Sequence, residues 1–346
     1  MIRRIVEIIK MIRYFGVKKI FETKKASDFA QSFLRGFVAS HVIFTLLNVG
    51  LLDECNKRDI NLRLFARRHK LNESVLYSLC DYLYSLKILK KKRGVYSLDS
   101  KGYTIVNRAR GFFDVWYAYQ PVLYNLESIL RGEKKYGKEI IRRGKYVAKG
   151  SGEIGNLLVF PFVAKIIQKY KFRKVLDLGC GDCSFLVYSC KNNPNLLGYG
   201  IDISEEAILY AKSRIKKEKL EKRIKIYKGD IFDIDKIMEG LDIDVITSFF
   251  TLHEFLFDKK IIRLFKKFKR FFKGKYLILC EYLRQSEEDL RKKPTLQSEY
   301  QMIHPLTSQG LASREEWEKL FWEAGFTIVK EECFESLGLC IFFLRI

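Results

Sequence analysis

The residues best suited to chemistry begin in one short run, R-K-V-L-D-L-G-C-G-D-C-S-F, from Arg173 to Phe185. Gly179 and Gly181 follow the apolar stretch Val175–Leu178 at once, where a chain must turn tightly and leave room for a ligand against its backbone. Twenty-one residues past Gly181, at the end of Y-G-I-D-I, stands Asp202, an acid that can take ribose hydroxyls on two acceptor oxygens. A dinucleotide fingerprint wants a third glycine or alanine, and Ser184 stands in that place. The chain holds only four histidines, and two of them, His253 in T-L-H-E-F and His304 in Y-Q-M-I-H-P-L-T-S-Q-G, lie beyond residue 165. Either imidazole suits a general base for a hydroxyl acceptor or a simple loop hydrogen-bonder. Both together, with Glu254 beside them, suit a metal site with two imidazoles and open positions for oxygen ligands.

The elements that must position these groups can be read from periodicity. Val175–Leu178 is an apolar run of the kind buried on both faces of a parallel sheet. A helix pattern starts near Ser184, a plausible N-cap. From residue 172 onward strand and helix patterns alternate, with strands expected near 174–178, 197–201, 224–228, 244–249, 276–281, 326–334 and 339–345, as an α/β sheet requires. In such sheets ligands bind beyond the carboxyl ends of the strands, which puts weight on the loops carrying His253 and His304.

The cofactor run resembles motif I, D-x-G-x-G, of the class I S-adenosylmethionine-dependent methyltransferases, with Asp177, Gly179 and Gly181 in the matching places. Three further matches follow in order: Asp202, with Ile203 after it, as the ribose-binding acid; G-D-I-F-D at 229–233, whose Asp230 would meet the adenine amine with Ile231 and Phe232 against the ring; and D-V-I-T-S-F-F at 244–250, a fourth strand that carries Ser248. The resemblance implies a Rossmann-like seven-stranded sheet, one of its terminal strands antiparallel, and S-adenosylmethionine as cofactor. The chain is also similar, more loosely, to metal-dependent 2-oxo acid C-methyltransferases and to small-molecule O-methyltransferases. The first likeness implies that His253 and His304 bind a divalent metal or iron ion, with Glu254 near the acceptor; the second implies His253 as base.

Ahead of the sheet, residues 29–54 read as a largely buried helix ending near Gly50. Helices at Leu62–His69 and Glu73–Leu89, the latter capped by Asn72, and two short strands hinged at Arg93-Gly94 complete a winged-helix order. Such a unit can read DNA, but V-L-Y-S-L-C-D-Y-L-Y-S-L is poor in Arg and Asn and favours packing, so a homodimer is expected rather than a nucleic-acid partner. The expected divisions are 1–28, an amphipathic basic leader; 29–110, the winged-helix-like domain; 111–165, a helical connector; and 166–346, the catalytic domain. The connector ends in the glycine-rich A-K-G-S-G-E-I-G and offers Trp116, Tyr119, Arg131, Arg142 and Arg143 as acceptor-pocket candidates.

Composition narrows the class. Of a net charge of +23, a surplus of 14 lies in residues 1–110, which carry 23 Lys and Arg against 9 Asp and Glu, away from the glycine turn. No run of eighteen apolar residues occurs, so no membrane span is expected. Eight cysteines in no secreted spacing suggest reduced thiols in a cytoplasm; Cys180 and Cys183 make one C-x-x-C, but a zinc there would collide with the cofactor's place.

Overall fold

The computed structural model describes residues 2–257, 259–293 and 295–346, without the side chains of residues 2–4 and 8. The chain divides into two compact units, residues 1–109 and 110–346, and the connector segment belongs to the second.

In the first unit the expected helix at 29–54 is split: most of it belongs to a longer helix, Val17–Asn48, separated from the leader helix Ile2–Phe15 by Gly16 at φ 70°, and its end forms a short helix, Leu51–Cys55, after Gly50 at φ 78°. It is buried only over Val42–Leu47; Phe29, Phe33, Leu34 and Phe37 are each more than half exposed. The sequence expectation of burial fails there because, among the described residues of this unit, little packs over those side chains beyond the contact of Phe29 with Phe33. By length and composition alone this helix could cross a membrane, with a mean hydropathy of 1.2 over its most apolar eighteen residues. Asn61 and Asn72 cap the helices Leu62–His69 and Glu73–Ser85 by accepting from the amides of Leu64 and Val75, both at 3.1 Å. Strands β1 (Leu89–Lys92) and β2 (Val95–Leu98) form an antiparallel hairpin whose turn residues, Arg93 and Gly94, both have positive φ, as a tight hairpin requires.

The second unit is built on β3 (Lys174–Leu178), β4 (Leu197–Asp202), β5 (Ile224–Lys228), β6 (Val245–Phe249), β7 (Tyr276–Tyr282), β8 (Thr327–Phe334) and β9 (Leu339–Arg345). They form one seven-stranded sheet in the order β5-β4-β3-β6-β7-β9-β8, parallel across β3 to β7, with β9 antiparallel to both of its neighbours. Successive residues face opposite layers: Leu176, Ile246 and Leu277 meet Phe265, Trp317 and Phe321, whereas Val175, Val245 and Ile278 meet Val163, Ile167 and Leu186. Both faces are buried, which is why the strands read as continuous apolar runs. The strand order reverses between β3 and β6, and a crevice opens at their carboxyl ends.

Three sequence expectations are corrected here. The glycine-rich A-K-G-S-G-E-I-G lies inside a helix, Gly144–Leu157, where a Cβ at Gly150 would fall 2.7 Å from both the Gly111 carbonyl oxygen and Val115 Cγ2. These glycines allow close helix–helix packing instead of a turn. His304 sits on the helix Gln297–Leu306, not in a loop, with Pro305 accommodated in its last turn. Cys333 and Cys340, cross-strand partners in β8 and β9 with Cα atoms 4.0 Å apart, form a disulfide; the other six cysteines are buried free thiols. Strand register, invisible in cysteine spacing, brings that pair together.

Candidate active site

The turn after β3 is tied to β4 by its backbone: the amides of Gly179 and Cys180 both donate to the Ile201 carbonyl, at 2.9 and 3.0 Å. Gly179 has φ 67°, and a Cβ on it would reach within 2.5 Å of Thr251 Cγ2. Gly181 has φ 53° and exposes its backbone to the same crevice. Asp202 closes the turn from β4. Its Oδ2 accepts from the Gly181 amide and its Oδ1 from the Ser204 amide, both at 2.8 Å. Burial raises its pKa against the pull of those two amides.

These residues line a cavity of about 280 Å³, together with Asp177, Asp182, Ile203, Asp230, Ile231 and Glu254. Asp177 is fully enclosed, accepts from Thr247 Oγ1 at 2.7 Å, and is pushed up to about 8 by burial. Asp182 lies against Arg214, which also donates to Ser184 Oγ. The helix Gly144–Leu157 runs over this turn, and a Cβ at Gly152 would stand 2.5 Å from Ser184 Oγ and 2.7 Å from Asp182 Oδ1. Bare backbone, an acid at a strand end and several carboxylates make a receptacle suited to a cationic nucleoside, and S-adenosylmethionine is one.

Two of the expected cofactor contacts lie elsewhere. Ser248 is wholly buried within β6, its Oγ donating to the Leu178 carbonyl at 3.4 Å, because its register pairs it with Leu178 inside the sheet. Phe232 does not line the cavity. Asp230 caps the turn by accepting from the Phe232 amide at 2.8 Å, and the ring packs edge-on to Phe255, with Arg263 over its face.

A smaller cavity of about 40 Å³ adjoins the first, sharing Arg142, Val147, Ser151, Phe250 and Glu254 and adding Tyr119, Tyr282, Tyr300, His253 and His304. The two imidazoles expected to act together do meet: their Nε2 atoms are 3.3 Å apart. His253 Nδ1 donates to Glu281 Oε2 at 2.7 Å, and His304 Nδ1 donates to the Tyr300 carbonyl at 2.5 Å. A carbonyl only accepts, so His304 carries its proton on Nδ1 when neutral and presents a bare Nε2. The same holds for neutral His253 beside the Glu281 carboxylate. Two facing lone pairs at this distance need a cation or a proton between them. For the proton, burial alone would lower the His253 pKa, but Glu281 raises it above the ordinary imidazole value. Burial, then His253, lowers His304 to about 3.

Glu281 is fully buried at the end of β7, and its Oε1 also accepts from the amides of Leu252 at 2.7 Å and Thr251 at 3.1 Å. It went unread in the sequence, although an acid closing an apolar strand is the same signal that marks Asp202. Glu254 is held by Arg142 at 2.5 Å, and Arg142 also donates to the Tyr119 hydroxyl at 2.9 Å. Of the connector candidates, Arg142 and Tyr119 line the pocket. Trp116 stands behind it, stacked on Tyr300. Arg143 is spent on the Tyr117 carbonyl and Gln120, and Arg131 pairs with Glu127 on an exposed helix. Rings of Phe250, Tyr282, Tyr300 and Trp116 form a continuous stacked wall.

Among the described residues no group of three or more His, Cys, Asp or Glu is placed to hold a metal. What the chain offers is two imidazole donors. Ligands about 2.0–2.1 Å from one ion, at angles between square and tetrahedral, stand about 2.8–3.4 Å apart, and the observed 3.3 Å falls inside that range.

Comparison with known proteins agrees with this geometry. A family described as "Methyltransferase domain" matches residues 171–325. The chain is 23% identical over 319 residues to methyltransferase ungE' of Aspergillus campestris, covering 88% of this chain and 93% of that protein. It is 25% identical over 311 residues to a 2-ketoarginine methyltransferase of Streptomyces arginensis, covering 86% and 87%. Among solved structures, human N-acetylserotonin methyltransferase in complex with SAM superposes with a TM-score of 0.71 at 18% identity, covering 92% of this chain and 97% of that one. With the glycine turn, the strand-end acid and the sheet order all in place, residues 171–325 match a methyltransferase domain, and the chain has the class I methyltransferase fold and is an S-adenosylmethionine-dependent methyltransferase enzyme.

Proposed function

We propose that this methyltransferase acts on a small 2-oxo acid and methylates its β-carbon, with His253 and His304 holding a divalent metal or iron ion beside the acceptor. The observation that carries this reading is the pair of Nε2 atoms facing each other at 3.3 Å, with both Nδ1 hydrogens already committed to Glu281 and the Tyr300 carbonyl. Outer acceptors that fix the imidazole tautomer are what metal-ligating histidines ordinarily have. The likeness to a 2-ketoarginine methyltransferase supports the acceptor class.

S-adenosylmethionine in the larger cavity supplies an electrophilic methyl group, and an ion at the histidine pair supplies Lewis acidity toward a keto oxygen. The chain's own residues do the rest. Gly179, Gly181 and Asp202 hold the cofactor's place, and Asp230 and Ile231 border it on the next loop. Glu254, at the junction of the two cavities, is positioned by Arg142 to accept the β-proton. Phe250, Tyr282 and Tyr300 exclude water from the acceptor side, which favours a step in which charge is neutralised. Metal analysis of the purified protein and activity after chelation test the reading: bound metal and chelator-sensitive methylation of 2-oxo acids are expected.

One observation favours a second reading. The Glu281–His253 pair is also the arrangement of an oriented general base, so a hydroxyl acceptor with His253 as base predicts activity that survives chelation and a mild effect of His304→Ala. Two assignments accompany either reading. A homodimer through the first unit is supported by the exposed Phe29, Phe33, Leu34 and Phe37; the six buried free thiols support the cytoplasm, and the Cys333–Cys340 disulfide counts against it.

A further inference from the structure

The leader helix Ile2–Phe15 has no part in the methyl-transfer site, yet its pattern is specific. Ile5, Ile9 and Ile12 recur at helical spacing along one face, with exposures of 51%, 58% and 43%, and Val6, Met11 and Phe15 flank them, also exposed. Lys10 and Tyr14 occupy the opposite face. Charged residues interrupt the segment every few positions, so it is too polar to span a bilayer. Of the ten charged residues in the first 25, eight are Lys or Arg and two are Glu. Past the break at Gly16, the start of the next helix adds Lys18, Lys19, Lys24 and Lys25 around an exposed Phe21.

We propose that residues 2–25 are an interfacial anchor that lays its isoleucine face into a bilayer surface and takes anionic phospholipid headgroups on its lysines and arginines. Charge decides the occupant. A second copy would set a segment of net charge +6 against another of the same sign. An anionic bilayer instead neutralises each basic residue, and its acyl boundary covers the isoleucines. Nucleic acid would satisfy the charges and leave the apolar face uncovered. This surface is separate from the Phe29–Phe37 stretch assigned to the dimer and does not depend on the acceptor.

The test is flotation of the full-length protein with vesicles of phosphatidylcholine alone and of an equal mixture with phosphatidylglycerol. The protein should float with the mixed vesicles only and be released by high salt. Lys10→Gln with Arg13→Gln should weaken partition about thirtyfold, at about 1 kcal/mol per basic residue near the surface. Ile9→Asp with Ile12→Asp should weaken it more than tenfold. Both double variants should keep wild-type circular dichroism, cofactor binding and methyl transfer, since none of these four residues lines either cavity. Failure of the wild type to float with mixed vesicles overturns the proposal. So does undiminished flotation of the aspartate variant, or conversion of vesicle-free protein from dimer to monomer by it, which would place the leader on a second copy.

Discussion

The two halves of the active site are built on opposite principles. The cofactor side is made largely of backbone, with two glycines at positive φ, amides given to β4 and one acid at the end of β4 that braces the turn. The smaller cavity, given above to the acceptor as a proposal, is made of side chains brought together from distant segments: Tyr119 and Arg142 from the connector, His253 and Glu254 after β6, Glu281 closing β7, and Tyr300 and His304 on a later helix. A backbone receptacle is set by local turns and tolerates little change. A side-chain receptacle can be re-equipped one residue at a time, so relatives that share a fold can take different acceptors.

The sharpest way to break the comparison is at the histidine pair. His253→Ala should lower methyl transfer by roughly 10²–10⁴-fold, the usual range for a removed acid–base group, while cofactor affinity measured by calorimetry changes less than about twofold. A parallel loss of cofactor binding would show that the two halves are not separable. Next in size, Asp202→Ala should cost about tenfold to a hundredfold in cofactor affinity. It removes ribose contacts and leaves the Gly181 and Ser204 amides unpaired, at roughly 1–3 kcal/mol. Metal content should be untouched, because the histidines lie on other elements.

Glu281→Gln keeps the shape but removes the charge that holds His253 basic. Metal affinity or activity should fall about ten- to hundredfold, and metal uptake should shift in its pH dependence. An unchanged profile would reduce Glu281 to a brace for the Thr251 and Leu252 amides.

A subtler effect concerns stability without metal. The folded pKa of His304 is lowered to about 3, below its unfolded value, so acid protonates the unfolded chain first. His304 therefore costs stability progressively as pH falls from about 6.5 toward 3. Raised above its unfolded value, His253 acts oppositely: its contribution is full below about 6.5 and is lost as pH rises through its folded pKa. The drop in melting temperature between neutral and mildly acid pH should thus be smaller in His304→Gln than in wild type, by differential scanning calorimetry. The smallest effect is expected at Arg131→Ala, an exposed pair on the helix surface: about 0.5 kcal/mol or less of stability, and activity within about twofold. A large activity loss there would return Arg131 to the acceptor pocket.

Much of this molecule was legible because much of it is local. All seven strands of the second unit fall within a residue or so of the expected ranges, since a strand buried on both faces must be an apolar run bounded by turns. The glycine turn and Asp202 could be placed because positive φ and a strand-end acid leave marks in consecutive residues. Ser248 and Phe232 were misplaced for a different reason: motif membership does not say which side of a strand, or which face of a turn, a side chain takes. The glycines of the connector stayed unplaced in the sequence because composition does not distinguish a bend from a close helix crossing.

Unaided, the sequence determined the seven strands of the second unit, the glycine turn after β3 and the acid at the end of β4, each marked in consecutive residues. Tertiary structure alone decided the rest. It set two imidazoles 51 residues apart in sequence at 3.3 Å, chose Glu281 and the Tyr300 carbonyl to orient them, paired Cys333 with Cys340, and left the Phe29–Phe37 stretch uncovered. Each of these depends on how elements distant in the chain pack. Periodicity records which face of an element is buried, not what it is buried against.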